Sequence, residues 1–178
     1  EPDMAMYGKT LGNGYAITAV VGRKSVMEAA QSTFISSTFW TERIGPTAAI
    51  ATLDEMEKIK SWEIITRVGD DIGKRWQVLA DKYELSLNIH GLPSLISFSL
   101  PPLNMLKYKT LITQEMLKKG ILAANSVYVC IEHKQHIVDQ YFEALEPILS
   151  MIKECEQGRS VDDLLDGPIS DSGFKRLD

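Results

Sequence analysis

The sequence predicts an α/β chain in which helices alternate with short strands. Three observations carry this. Apolar residues recur at helical spacing over residues 47–83 and 133–156, apolar and polar residues alternate singly over 85–100, and Gly or Pro punctuates the changes of pattern. With 178 residues, 44% of them hydrophobic and 24% charged, the chain can bury a core. A formal charge of -5 argues against a nucleic-acid partner, which normally meets a basic face.

Taken in order, "AITAVV" (16–21) reads as a buried strand closed by Gly22-Arg23. Ser25 is expected to cap a short helix over "VMEAAQ", with Glu28 completing a capping box. Residues 34–45, "FISSTFWTERIG", have no helical period and read as a loop or bent strand. A helix is expected from Thr47, with Pro46 in or before its first turn and Ile50, Leu53, Met56 and Ile59 forming its stripe. A second helix over 63–83 carries Ile65, Val68, Ile72, Trp76 and Leu79, weakened at Gly69 and Gly73 by about 1 kcal/mol each relative to alanine.

The second half opens with an antiparallel pair, "LSLNIHG" and "SLISFSL", joined at Gly91-Leu-Pro93 and ended by Pro101-Pro102. A helix over 109–120 closes on Lys118, Lys119 and Gly120. "ILAANSVYVCI" (121–131) follows as a strand with a polar interruption, and 133–156 as a long amphipathic helix with Ile137, Tyr141, Leu145, Ile148 and Ile152 on one face. The acidic tail reads as a solvated end.

The stretch "YGKTLGNGY" places Lys9 among glycines. Such a lysine either holds nucleotide phosphates or bonds an aldehyde. A phosphate loop needs a glycine five positions before Gly8-Lys9-Thr10, and Asp3 stands there instead, where it would repel phosphate. Cys130 and Cys155 lie far apart without metal-type spacing, which fits a reduced, cytoplasmic compartment, and no metal site is expected. His133 and His136 lack a third ligand and read as a polar helix start. His90 reads as a turn residue, and Arg23 and Arg43 as makers of surface ion pairs. No apolar run of about 18 residues suggests a membrane span.

"PDMAMYGKTLGNGYAITAVVGRKSVME" followed by "FISSTFWTERIGPTAAIATLDEME" resembles the cofactor-lysine region of class III aminotransferases, pyridoxal-phosphate enzymes of fold type I, in the branch of glutamate-1-semialdehyde aminomutase. Asp3, Lys9, Gly12, Gly14, Gly22 and Arg23 follow that pattern in order, and "KKGILAANSVYVCIEHKQHIVDQYF" is similar to the family's last strand and final helix. The resemblance implies the C-terminal part of such an enzyme. Residues 1–52 would end the large domain, 53–166 would form an α+β small domain with helices on a small antiparallel sheet, and 167–178 would be a polar tail.

The resemblance also implies that Lys9 forms the Schiff base with pyridoxal 5'-phosphate, and that a threonine hydroxyl holds the cofactor phosphate, often across a homodimer with shared active sites. Two threonines compete for that role. Alignment on Pro46 selects Thr41, whereas alignment on the helix "AAIATL" selects Thr38 without a gap, and Thr38 is preferred because helix phase fixes side-chain direction over many residues. The alternative, a plain loop hydroxyl, stays open. Trp40 and Thr41 stand where relatives often have small residues, which implies a bulkier pocket wall. The family's aspartate for the pyridine nitrogen and its glycine-rich phosphate loop have no counterpart here. The chain is therefore expected to be a piece of a longer enzyme, inactive alone, that transfers or shifts an amino group between a small-molecule donor and a semialdehyde, keto acid or keto sugar. A catalytically silent dimerisation or regulatory module of the same fold is the alternative.

Overall fold

The structure, a computed structural model, describes residues 2–171. The chain divides into two compact units, Glu1–Ser61 and Trp62–Asp178.

The first unit is built on a hairpin. β1 (Met4–Tyr7) pairs antiparallel with β2 (Ala19–Gly22), Met4 facing Gly22 and Tyr7 facing Ala19, with a 3-10 turn over Lys9–Leu11 between them. The strand expected over 16–21 therefore starts later. It is also not buried within this chain, since Val20 and Val21 are exposed. α1 (Lys24–Met27) runs on as a 3-10 turn over Glu28–Ser32. Ser25 is not its cap. The helix opens at Arg23, whose carbonyl accepts from the amides of Val26 and Met27, so Ser25 already lies inside the first turn. Residues 34–37 are irregular and 38–41 form a turn, as a loop reading requires.

α2 (Ile44–Ile59) begins three residues earlier than Thr47, with Pro46 in its first turn, where a missing amide breaks no helical bond. Its inward face also differs from the expected stripe. Ile50 and Leu53 are 62% and 52% exposed, while Gly45 and Ala49 are buried. Small residues win this face because the chain at Ala16 comes so close that a Cβ on Gly45 would lie 2.7 Å from the Ala16 carbonyl oxygen. Among the described residues Ala49 is the one buried hydrophobic of this unit, which thus has no core of its own. The boundary expected at residue 52 falls within α2.

The second unit holds the core. α3 (Ser61–Lys82) buries Ile72, Trp76 and Leu79 as its stripe requires. β3 (Asn88–Leu92), β4 (Leu95–Ser99) and β5 (Ser126–Tyr128) form one antiparallel sheet in that order. Only three residues of the expected strand 121–131 join the sheet. The Asn125 side-chain amide donates to the Phe98 carbonyl at 2.9 Å and the main-chain carbonyl of Asn125 accepts from the Phe98 amide, which closes the ladder at that point.

α4 (Met105–Lys118) and α5 (Gln135–Glu156) complete the unit. α5 buries Val138, Phe142, Leu145, Ile148 and Ile152, so its inward face is turned from the expected one at Ile137, which is exposed. Trp76 Nε1 donates to the Tyr141 hydroxyl at 3.0 Å, and Arg75 pairs with Asp139 at 2.6 Å while lying over the Phe142 ring, tying α3 to α5. The tail is not fully solvated: Val161 is 6% exposed and Leu164 and Leu165 pack on the core. Of the tail proposed over 167–178, residues 172–178 lie outside the described residues.

Tyr108, fully buried, donates its hydroxyl proton to the Glu156 carboxylate. Burial, reinforced by that acceptor, pushes its pKa up from 10.0 to about 12, making the hydroxyl a weaker acid. Burial moves Tyr141 in the same direction. An unfolded chain loses these protons first, so the stability they contribute is full below pH 10.0 and is lost as pH rises toward 12. The decline is expected to be no steeper than about 1.4 kcal/mol per pH unit for each tyrosine. Urea unfolding of wild type and Tyr108→Phe across this range checks it; the variant should show the shallower decline.

Candidate cofactor site

Lys9 follows β1 by one residue, after Gly8, as the first residue of the 3-10 turn, with its side chain exposed. Its backbone is left-handed, with φ 49°. A side-chain-bearing residue adopts this region at a cost of roughly 1–2 kcal/mol, and such strain collects where a side chain must be aimed. The turn is held from both sides. The Leu11 amide donates to Gly8 O at 3.1 Å, and the Gly12 and Asn13 amides both donate to Lys9 O at 3.2 Å.

Gly12 is required here because a Cβ would stand 2.1 Å from the Tyr15 carbonyl oxygen and 2.7 Å from Ile17 Cγ2. Ala16 and Ile17 in turn press on Gly45 in the first turn of α2. The Lys9 turn is thus braced against the helix that the Thr38 loop enters. At the other end of the hairpin, Arg23 pairs with Asp3 at 3.0 Å, and the Arg23 amide donates to Asp3 O at 3.0 Å.

Thr38 opens the turn 38–41 and is exposed, as is Thr41. Among the described residues neither hydroxyl takes part in a hydrogen bond with protein, so each is available to an outside acceptor. The turn is set by the Trp40 amide on Ser37 O at 3.3 Å and by the Glu42 carboxylate, which accepts from the Ile44 amide at 3.1 Å and so caps α2. Trp40 is 68% exposed. Lys9 and Thr38 share the first unit, and among the described residues no hydrogen bond joins them. Gly45 and Glu42, which fix both turns to α2, show in the sequence only as a small residue and an acid shortly before Pro46.

Gly8-Lys9-Thr10 is followed by a turn and β2, not by the helix whose amides a nucleotide loop needs. His133 has a structural part: its Nδ1 accepts from the Cys130 amide at 3.1 Å. His136 is exposed at the start of α5, and His90 Nδ1 lies 3.2 Å from Asn88 O.

The family model of the class-III aminotransferases matches residues 1–149. The chain belongs to this family. This class III aminotransferase sequence is 27% identical over 161 residues to the 3-aminobutyryl-CoA aminotransferase of Cloacimonas acidaminovorans, covering 86% of this chain and 38% of that relative. It is 26% identical over 164 residues to the glutamate-1-semialdehyde 2,1-aminomutase of Methanocaldococcus jannaschii, covering 83% and 38%. Among solved structures, the PLP form of the FumI protein of Sphingopyxis sp. superposes with a TM-score of 0.79 at 21% identity, over 93% of this chain and 41% of that one. A transaminase with PLP bound gives 0.74 at 18% identity, over 89% and 40%.

These neighbours share the fold, helices on small antiparallel sheets, that the sequence led us to expect. The chain spans 38% of the length of these two curated relatives. Pyridoxal phosphate is the cofactor of class III aminotransferases. The residues present fit it: an exposed amine on a braced turn suits the aldehyde, and a hydroxyl with no protein partner suits a phosphate oxygen.

Proposed function

We propose that this chain supplies the lysine and one phosphate contact of a pyridoxal-phosphate enzyme that transfers, or shifts within one molecule, an amino group on a semialdehyde, keto acid or keto sugar. The observation that carries the reading is Lys9 held at φ 49° on a glycine-bounded turn, in a chain of the class III family. Bound pyridoxal phosphate supplies an aldehyde carbon and a ring able to accept an electron pair. Lys9 Nζ would hold the cofactor through its aldehyde carbon and, as a free amine, would move a proton off or onto the substrate carbon. The Thr38 hydroxyl donates to a phosphate oxygen, in a homodimer whose two chains share each site.

The relatives' names include a thioester amino acid and a semialdehyde, which supports the breadth of the substrate class. The first unit, which buries only Ala49 among its described hydrophobic residues, supports a site completed by further polypeptide, and the 178 residues alone are expected to bind the cofactor weakly. Among the described residues no helix is long and apolar enough to cross a membrane. The free thiols Cys130 and Cys155 support a cytoplasmic setting.

The test uses the full-length polypeptide. Loading with pyridoxal phosphate, reduction with borohydride and peptide mapping should place the label on Lys9. Label elsewhere rejects Lys9, and no label at all favours the silent module. In the same protein Thr38→Val should weaken cofactor binding by roughly 10- to 100-fold, the loss of a charge-assisted hydrogen bond, with Thr41→Val near wild type. The reverse ranking transfers the phosphate role to Thr41.

A further inference from the structure

Beyond residue 149, where the family match ends, the chain does something the catalytic reading leaves unused. After α5 it turns at Gly158, with φ 113°, and lies back on α4. Lys107, Thr110, Gln114 and Lys118 are spaced three, four and four apart, which puts them on one face of that helix, beside the face that buries Leu111 and Met116.

The Gln114 amide grips the returning main chain with both ends. Its Nε2 donates to Leu164 O at 2.9 Å and its Oε1 accepts from the Asp166 amide at 2.7 Å. Two lysines flank that grip: Lys107 pairs with Asp162 at 2.6 Å and Lys118 with Asp166 at 2.8 Å. Thr110 Oγ1 accepts from the Ser170 amide at 3.0 Å. A side-chain amide that satisfies a backbone carbonyl and a backbone amide two residues apart recognises main chain, here as it leaves a 3-10 turn over Asp162–Leu164, and the flanking cations then select carboxylates two residues to either side of Leu164.

We propose that this face of α4 is a docking site for an acidic peptide of the form Asp-x-Leu-x-Asp whose first three residues take a 3-10 turn, and that the chain fills it in cis with its own residues 159–171. The interaction is intramolecular, so its effective concentration adds to the packing of Val161, Leu164 and Leu165 in keeping a short segment docked. Its ionic part lies at the surface and weakens with salt, because the screening length falls from about 10 Å at 0.1 M to about 3 Å at 1 M. The proposal is independent of the role assigned to Lys9.

Hydrogen exchange on the full-length wild-type protein is the first arm. The amides of Asp166 and Ser170 should be protected at low salt and exchange roughly tenfold faster at 1 M, while amides in the middle of α5 stay unchanged. Free-peptide exchange at low salt, or protection indifferent to salt, overturns the proposal. In the second arm the strap is repelled with Asp162→Lys and Asp166→Lys, α5 protection reporting that the protein is folded. A labelled synthetic peptide of residues 159–171 should bind this variant at least tenfold more tightly than wild type, and adding Gln114→Ala should remove that gain. Equal binding by all three proteins overturns it.

Discussion

Lys9→Ala in the full-length polypeptide is expected to lower amino-group transfer by roughly 10³-fold or more, since it removes both the covalent hold and the proton carrier. Lys9→Arg should be equally inactive, because a guanidinium keeps the charge yet neither bonds an aldehyde nor gives up its proton at neutral pH. A third variant separates chemistry from folding. Lys9 stands at φ 49°, where glycine is unstrained, so Lys9→Gly should be as inactive as Lys9→Ala while being more stable than it by about 1 kcal/mol. Steady-state transfer rates and urea midpoints on the three variants decide the matter. Activity retained by Lys9→Ala would sink the assignment, and a Lys9→Gly protein no more stable than Lys9→Ala would remove the argument from backbone strain.

The parts of this fold that the sequence made legible are those where one residue's neighbours along the chain determine its environment. The stripe of α3 is buried as its period demands because Ile72, Trp76 and Leu79 are large and meet a full core. The hairpin of β3 and β4 follows from alternation interrupted by Gly91 and Pro93. Where small residues decide, reading by hydrophobicity fails. α2 turns Gly45 and Ala49 inward and leaves Ile50 and Leu53 outside, since close approach of the backbone at Ala16 outweighs the size of the apolar side chains. Just before β5, Asn125 bonds to the Phe98 backbone, a partner 27 residues away that no local pattern reveals. The strap on α4 was equally hidden, because Asp162 and Asp166 find their lysines 55 and 48 residues upstream. At the candidate site, Lys9, Gly12 and Thr38 came from resemblance, whereas the brace through Ile17 and Gly45 needed the folded chain.

Gly69→Ala should destabilise the protein by about 3 kcal/mol, although alanine favours a helix by about 1 kcal/mol. The reason lies outside the helix. A Cβ on Gly69 would stand 1.9 Å from the Pro93 carbonyl oxygen, 2.5 Å from its carbon and 2.9 Å from its Cα, all backbone atoms. That turn cannot retreat freely, because Leu92 pairs with Leu95 and the Val129 amide donates to Ser94 O at 3.0 Å, so α3 itself must move off the hairpin and loosen Trp76 and Ile72 from the core. Gly73→Ala, one turn further along, is the control. Its Cβ would meet Ile96 Cδ1 at 2.7 Å, the end of a side chain that can rotate, and the gain in helix preference offsets part of that adjustment, leaving a change within about 1 kcal/mol. Urea unfolding of both variants reads the difference directly. Similar midpoints would mean that α3 does not rest on the Pro93 turn, and that both glycines are there for reasons other than close approach.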